Sequence, residues 1–153
     1  MSLLDQVAAL IGDTTSGELA RFGALANVTA LLYEQFDDIN WVGFYLTDES
    51  GELLRLGPFQ GRVACTEIPF TRGVCGTAAR TKESVRVADV STFADHIVCD
   101  SASRSELVIP LITADGTVVG VLDLDSPRLG RFSSADQEAL EAVVDLLVQR
   151  LWS

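Results

Sequence analysis

A cysteine among small polar residues is the side chain of this sequence that is best suited to chemistry. Cys99 lies in the run HIVCDSASRSE, which spans residues 96–106. A buried structural thiol usually stands in an apolar run, whereas Asp100 and Ser101 favour turns and local hydrogen bonds to the backbone. We therefore expect Cys99 on a loop before a buried strand, where a scaffold holds it and a reactant can reach it. The alternative is a half-buried thiol that packs as a small hydrophobe.

The other two cysteines, Cys65 and Cys75, bring the total to three. Three cysteines are too few, and odd in number, for the disulfide framework of a secreted domain. In a reducing compartment, cysteines are more often catalytic, redox-active or metal-binding. A metal is the weakest of these options because the chain has no CxxC motif and His96 is its one histidine. Cys75 follows Gly73 in a predicted helix of small residues, which favours a packed small hydrophobe over a nucleophile. We expect neither a metal nor an organic cofactor.

Two carboxylates are predicted to project together from one strand. In the segment GVLDLDSP, alternation places Asp123 and Asp125 on the same face, about 7 Å apart. The same face is predicted to bear Val119 and Val121 and is therefore otherwise apolar. Carboxylates there are costly unless a cation or a hydrogen-bond donor meets them, which favours a binding role. A strand that emerges into solvent would give the same pattern.

Two aromatic side chains flank a glycine in the segment NWVGFYLT. Period-two alternation places Trp41, Gly43 and Tyr45 on one face of a predicted strand, and the apolar residues between them pack beneath helices. The glycine leaves a notch between two rings, where another group could approach. Ordinary core packing of both rings is the alternative.

The elements that must position these residues are helices at both ends of the chain and strands between them. The pattern predicts a short first helix, a long second helix that Ser16 can cap, and a closing helix that begins at Ser133. The predicted strands are Asn40–Thr47, Glu52–Leu56, Val63–Phe70, Ser84–Ala88, Ser105–Thr113 and Thr117–Asp125, with a long connection over Val90–Arg104. Hairpin connections predict an α+β fold, in which helices from both termini flank a central antiparallel sheet in a single domain over residues 1–153.

Composition excludes several classes of function. The 153 residues have a formal net charge of −11 and no cluster of Lys or Arg, so nucleic acid is not an expected partner. No apolar run approaches the length of about 20 residues that a membrane helix needs. The opening MSLLDQVAALIG lacks a basic leader and a cleavage pattern, so we expect a cytoplasmic protein.

Five ordered motifs together resemble one family. The strings NWVGFYL, LGPFQGRVACTEIPF, RGVCGTAA, HIVCDSASRSELVIPL and GVLDLDSP are similar to those of the free methionine-(R)-sulfoxide reductases, which are built on a GAF domain. The resemblance runs from about Asn40 through the last helix and includes all three cysteines. It implies a GAF-like fold around a closed pocket for free methionine sulfoxide, and a thiol-dependent reduction with thioredoxin as reductant.

The resemblance also implies roles for the cysteines. Cys99 would be the nucleophile and Cys65 the resolving cysteine, while the role of Cys75 in catalysis is less defined. A thiolate attacks the sulfoxide sulfur, but the oxygen leaves only if it is protonated, so an acid is needed beside the thiol. The resulting sulfenic acid condenses with a second cysteine to a disulfide, which an external dithiol reduces. His96 or Arg104 could keep the nucleophile ionised.

The resemblance further implies which side chains contact the substrate. Trp41 and Tyr45 would wall its methyl-sulfinyl end, and three carboxylates would contact the rest: Glu106, Asp123 and Asp125. An acidic pocket can pair with the α-ammonium of a free amino acid, a group that a methionine within a polypeptide lacks. Which carboxyl donates the proton stays open, although we expect Glu106 to do so and Asp123 to bind the ammonium.

Two other classes of function compete with this one. A GAF-type sensory module would bind a small ligand without turnover, and a thiol redox sensor would use a disulfide between Cys99 and Cys65 to change a partner surface. A hydrolase that used Cys99 and His96 is the weakest alternative, because residues three apart on one loop seldom align as nucleophile and base. The oligomeric state is not fixed by the sequence, and a homodimer is one of the states considered.

Overall fold

The computed structural model describes residues 1–13, 17–94, 96–97 and 102–152. Its α-helices are α1 (Leu3–Ile11), α2 (Glu18–Gln35), α3 (Gly73–Thr81) and α4 (Ser134–Leu151), with one 3₁₀ turn at Val90–Thr92. Its strands are β1 (Trp41–Thr47), β2 (Leu53–Gly61), β3 (Glu67–Pro69), β4 (Val85–Val87), β5 (Ser105–Ile112) and β6 (Val118–Ser126). No helix in these ranges is both long and apolar enough to span a membrane.

The described strands form one sheet in the order β3-β2-β1-β6-β5-β4, and each neighbouring pair is antiparallel. Helices α1, α2 and α4 cover one face, where alternate residues of β1, β5 and β6 make the larger core. Helix α3 lies on the other face, over a second core that includes Trp41, Tyr45 and Val121. The predicted α+β arrangement, with a central antiparallel sheet flanked by helices from both termini, is confirmed.

The helix ends follow from local sequence. Ser133 accepts a hydrogen bond from the backbone N–H of Asp136, whose carboxylate accepts one from the N–H of Ser133, so the predicted capping box of α4 is present. Helix α2 begins after Gly17, which has φ +87° and supplies no side-chain cap. Ser16, the predicted cap, lies outside the described residues.

Strand β2 is longer than predicted. The prediction ended this strand at Leu56, but β2 continues through a Gly- and Pro-containing segment to Gly61 along β1. The register shifts between Gly43 and Tyr45, which leaves Gly57 and Pro58 at a bulge. A bulge tolerates proline because the ladder is already interrupted there. The strand predicted over Val63–Phe70 is correspondingly short, since only Glu67–Pro69 pairs.

The predicted face of β6 is right for the two aspartates and wrong for one valine. Asp123 and Asp125 line the pocket on the α3 side, and Val121 packs into the core of that side. Val119 instead packs against the larger core on the opposite side. The register with β5 shifts between Leu111 and Ile112, which inverts the alternation at this end of the strand.

Candidate active site

A pocket opens on the α3 side of the sheet, where β1, β5 and β6 lie next to one another. Its empty space reaches about 530 Å³ when the open solvent at its mouth is included. Its floor is made by strand residues, and Gly73 and Cys75 at the start of α3 form one wall. Gly73 has φ +73°, and a Cβ on it would lie 3.3 Å from the Ile97 side chain. This glycine therefore lets the helix begin directly beneath the segment that contains His96 and Ile97.

Three carboxyl groups line this pocket, those of Glu106, Asp123 and Asp125. They define it as the acidic pocket. Glu106 on β5 is the register partner of Asp125 on β6, and Asp123 lies two residues before it. Glu106 and Asp123 are only 6% and 5% exposed. The structure thus brings together the three carboxylates that the sequence singled out, at a place where ionised groups are expensive.

The burial of this cluster changes its protonation. Burial raises the pKa of the Asp123 carboxyl well above its ordinary value, and the charges of Asp125 and Glu106 raise it further. One oxygen of Asp123, Oδ1, is buried without a hydrogen-bond partner among the described residues. The raised pKa favours the protonated form of Asp123, which relieves the repulsion among the three groups.

Cys75 lies against the same carboxyl groups. Its Sγ is 4.0 Å from Oε2 of Glu106, and the side chain is 3% exposed. Burial raises the pKa of the Cys75 thiol well above its ordinary value, and the negative charges of Asp123 and Glu106 add to that effect. The predicted burial of Cys75 is confirmed, and in this environment its sulfur is a thiol, which is the weaker nucleophile.

His96 lies close to Glu106, a contact that the sequence analysis missed. Its Nε2 lies 3.7 Å from Oε1 of Glu106. The histidine had been considered only as a partner of Cys99. A usable signal was present, because His96 and Glu106 stand on either side of Cys99 in the sequence and Glu106 lies near the start of a strand that was predicted to be buried.

Trp41 and Tyr45 do line the pocket, as predicted. Their rings stack with centroids 5.7 Å apart, and Phe59 of β2 extends the stack on the other side of Trp41 at 5.4 Å. The notch predicted above Gly43 is not open, because the Trp41 ring fills it: a Cβ on Gly43 would lie 2.5 Å from Cη2 of Trp41. The glycine leaves room for the stacked rings of Trp41, Tyr45 and Phe59, which form the aromatic wall of the pocket.

The polar ends of both rings hold the segment that follows β2. Nε1 of Trp41 donates a hydrogen bond to the carbonyl of Arg62 at 3.2 Å, and the Tyr45 hydroxyl donates one to the carbonyl of Cys65 at 3.1 Å. Burial raises the pKa of the Tyr45 phenol far above its ordinary value, so the hydroxyl keeps its proton and stays a donor. The aromatic wall therefore fixes the backbone of the predicted resolving cysteine.

The two cysteines predicted to exchange electrons differ in what the structure describes. Cys65 is half-buried and disulfide-bonded. Cys99, the predicted nucleophile, lies outside the described residues, as does Ser101, although His96, Ile97 and Ser103 on either side of it line the pocket. The roles of both cysteines stay predictions.

Comparison with known proteins identifies the family. The GAF domain model matches residues 23–151. The free methionine-R-sulfoxide reductase of Escherichia coli K12 is 49% identical over 129 residues, which cover 84% of this chain and 76% of the relative. The enzyme of the same name from Saccharomyces cerevisiae is 41% identical and covers 95% of this chain, which in turn covers 83% of the yeast protein.

A solved structure agrees with these relatives. The X-ray structure of free methionine-R-sulfoxide reductase from Neisseria meningitidis, in complex with its substrate, superimposes with a TM-score of 0.90 at 43% identity. The match covers 98% of this chain and 86% of that one. The GAF fold and the family that the motifs suggested are both confirmed, and the chain belongs to the free methionine-R-sulfoxide reductase family of GAF-domain oxidoreductases.

Proposed function

We propose that this protein reduces free L-methionine-(R)-sulfoxide to methionine within a single catalytic domain, with Cys99 as nucleophile and thioredoxin as reductant. The observation that most directly supports this is the acidic pocket, in which buried Glu106 and Asp123 lie beside the aromatic wall of Trp41 and Tyr45. Such a pocket offers charge to one end of an amino acid and ring faces to its methyl end. The names of the relatives support the substrate.

Recognition of the free amino acid follows from charge. The α-ammonium of the substrate is a cation that ionised Glu106 or Asp125 can pair with, and pairing offsets the cost of burying those carboxylates. A methionine residue in a peptide has an amide nitrogen instead, which brings no positive charge. The acidic pocket would then leave its charges unpaired, which disfavours a peptide substrate.

The chemical step needs a thiolate and an acid at the same sulfoxide. The Cys99 thiolate attacks the sulfoxide sulfur to form an S–S bond, while a carboxylic acid of the pocket gives its proton to the sulfoxide oxygen. The resulting hydroxyl group then moves from the substrate sulfur to the Cys99 sulfur as the substrate S–O bond and the transient S–S bond break. Methionine leaves, and Cys99 remains as a sulfenic acid. Asp123 is the carboxyl whose pKa is raised by burial and by its acidic neighbours, which favours its protonated form. The methyl group meanwhile rests against the rings of the aromatic wall.

Recycling needs a second thiol. The Cys65 thiol attacks the sulfenic acid, water leaves, and a disulfide between Cys65 and Cys99 remains. The dithiol of thioredoxin then reduces this disulfide by exchange, which suits a cytoplasmic enzyme. The hydrogen bond from Tyr45 to the Cys65 carbonyl supports this assignment because it fixes the backbone of the resolving cysteine beside the pocket.

A thioredoxin-coupled assay on three compounds tests the proposal. We expect turnover of free methionine-(R)-sulfoxide, no turnover of the (S) epimer, and little turnover of N-acetylmethionine-(R)-sulfoxide, whose nitrogen is uncharged. Equal catalytic efficiency on the free and acetylated compounds would mean that the acidic pocket does not recognise an ammonium. Binding without any consumption of reductant would indicate a sensory module instead.

A cysteine series tests the order of the thiol steps. We expect Cys99→Ser to abolish reduction, because the first step needs the nucleophile. Cys65→Ser should allow about one turnover per molecule and then stall with Cys99 oxidised, because only the second step needs this thiol. Cys75→Ser should do less harm than either of these, and an effect equal to that of Cys65→Ser would show that Cys75 shares the resolving role. Methionine formed per enzyme in a rapid-quench experiment distinguishes these results, and repeated turnover by Cys99→Ser would contradict the mechanism.

A further inference from the structure

Three potential metal ligands meet inside the acidic pocket. Cys75 of α3, Glu106 of β5 and Asp123 of β6 each contribute one donor atom, and all three atoms lie within 4.8 Å of one another. A tetrahedral zinc ion with bonds of about 2.0 to 2.3 Å holds its ligands roughly 3.3 to 3.8 Å apart. The Cys75 to Glu106 separation of 4.0 Å is close to that range, so small side-chain movements suffice to close the site.

An independent feature of the cluster indicates that a cation fits there. Oδ1 of Asp123 is buried, and no hydrogen-bond partner for it exists within the described ranges. Buried polar atoms are normally paired, so an orphaned carboxylate oxygen in a pocket marks a position for a ligand that accepts its lone pair. Either an ammonium group or a metal ion meets that requirement.

The second oxygen of Glu106 lies near a histidine. Oε1 faces Nε2 of His96 at 3.7 Å, whereas Oε2 faces the Cys75 sulfur. A ligating carboxylate held through its other oxygen is the usual arrangement around bound metals, because the outer partner fixes the direction of the lone pairs. The sulfur restricts the identity of the ion, since thiolate favours zinc and cobalt over magnesium and calcium.

We propose that Cys75, Glu106 and Asp123 bind one Zn²⁺ or Co²⁺ ion, and that this ion and methionine sulfoxide exclude each other from the acidic pocket. Binding replaces the S–H bond of Cys75 with an S–metal bond and the O–H bond of protonated Asp123 with an O–metal bond, and both protons pass to the buffer. Three protein donors leave a fourth position for water. Metal binding stands without the proposed function, whereas the exclusion of substrate rests on it.

Cobalt titration of a variant with a single cysteine tests the site. In Cys65→Ser/Cys99→Ser, any sulfur-to-cobalt charge-transfer band in the near ultraviolet must come from Cys75. We expect this band to saturate at one Co²⁺ per chain and to disappear when Zn²⁺ is added. No band at a large excess of Co²⁺ would overturn the proposal.

Carboxylate variants in the same background locate the other ligands. We expect Asp123→Asn and Glu106→Gln each to weaken cobalt binding by about tenfold or more, because even outer partners of metal ligands are worth about 10- to 100-fold. Asp125→Asn is the matched control, since it removes a charge from the pocket but lies outside the three-ligand cluster, and it should weaken binding by less. Equal affinities for Asp123→Asn and its parent would contradict the ligand set.

Two further measurements distinguish failure of the metal proposal from misfolding of the double variant and from failure of the proposed function. The single variant Cys75→Ser must show a weaker cobalt band than the unmodified protein. This comparison provides the same test if the double variant does not fold. Methionine sulfoxide should weaken cobalt binding to the double variant. If the unmodified protein turns over methionine sulfoxide but the compound leaves cobalt affinity unchanged, the shared site is wrong. A cobalt band in a protein without reductase activity would confirm the metal site and refute the function.

Discussion

Asp123 and Glu106 are both buried carboxyl residues, but they suit different steps. The sequence suggested Glu106 as the proton donor and Asp123 as the ligand of the ammonium. We infer the opposite assignment, because burial and two neighbouring carboxylates raise the pKa of Asp123, whereas Nε2 of His96 lies 3.7 Å from Oε1 of Glu106. An acid that holds its proton near neutral pH is the better donor to a sulfoxide oxygen.

Asparagine at position 123 tests that assignment through pH. We expect Asp123→Asn to lower kcat by about a hundredfold, the lower end for loss of a general acid. In the unmodified enzyme kcat should fall as pH rises through the raised pKa of Asp123, because the donor is then ionised, and the variant should lack that fall. Steady-state kinetics across pH measure both effects.

Two variants serve as references for that experiment. Asp125→Asn should mainly raise KM, by about tenfold or more for a lost charge-assisted hydrogen bond of 1.5 to 3 kcal/mol. Glu106→Gln should resemble it. If Glu106→Gln instead abolishes the pH-dependent fall in kcat while Asp123→Asn keeps it, then Glu106 is the acid.

The Tyr45 hydroxyl is expected to serve the recycling step. Tyr45→Phe keeps the ring that walls the pocket but removes the hydrogen bond to the Cys65 carbonyl. A hydrogen bond worth about 1 kcal/mol corresponds to roughly a fivefold change in rate. We expect the first turnover to keep its rate and steady-state turnover to slow by about that factor. Tyr33→Phe is the control, because the Tyr33 side chain is exposed on α2. A slower first turnover in Tyr45→Phe would assign the Tyr45 hydroxyl to substrate binding instead.

At the scale of elements, the sequence predicted what depends on periodicity. The alternation of Val42 and Phe44 against Trp41 and Tyr45 sorted β1 between the two cores correctly, because a regular strand has a period of two. The same rule misplaced Val119, where the register shift adds a residue to one strand. Such a shift depends on the partner strand and leaves no mark in the local pattern.

Contacts between distant elements could not be predicted. The proximity of Cys75 to Glu106 joins α3 to β5 across 31 positions of sequence. Nothing in the helix pattern around Cys75 distinguishes a side chain that packs on apolar residues from one that packs on carboxylates. The family resemblance identified the carboxylates as a set, but their burial and the raised pKa of Asp123 follow from the packing of the sheet.

Gly43 is where the packing of β1 is most demanding. A Cβ there would clash with the Trp41 ring and with Cβ of Phe59, so Gly43→Ala must move the aromatic wall. We expect a loss of stability of about 1 to 3 kcal/mol, as for overpacked cores, with an increase in KM. Gly23→Ala in α2 is the matched control, because nothing lies within 4 Å of its Cβ position, and it should stabilise by about 0.5 to 1 kcal/mol. If urea unfolding gives the same change in unfolding free energy for both variants, the aromatic wall accommodates the added methyl group without strain.

At the scale of the whole molecule, the sheet separates two kinds of packing. The face toward α1, α2 and α4 is a continuous apolar core, whereas the α3 face combines a smaller core with the acidic pocket. Buried charge in the second core is costly, and the first core supplies apolar burial that offsets it. We infer that stability depends mainly on the helical face and that substrate binding depends on the other.

Two neighbouring residues of β6 test this division of roles. Leu122 and Val121 are both fully buried, but Leu122 packs in the helical core, whereas Val121 packs in the α3-side core as the register partner of Tyr45. We expect Leu122→Ala to cost about 2 to 5 kcal/mol of unfolding free energy, with kcat/KM of the folded enzyme changed less than about twofold.

Val121→Ala removes two methyl groups and should cost less stability, about 1 to 3 kcal/mol. It should nevertheless lower kcat/KM more, because the cavity loosens the ring that walls the pocket. Urea unfolding and kinetics well below the melting temperature give both quantities, and activity losses that simply follow the stability losses would show that the sheet does not separate the two roles.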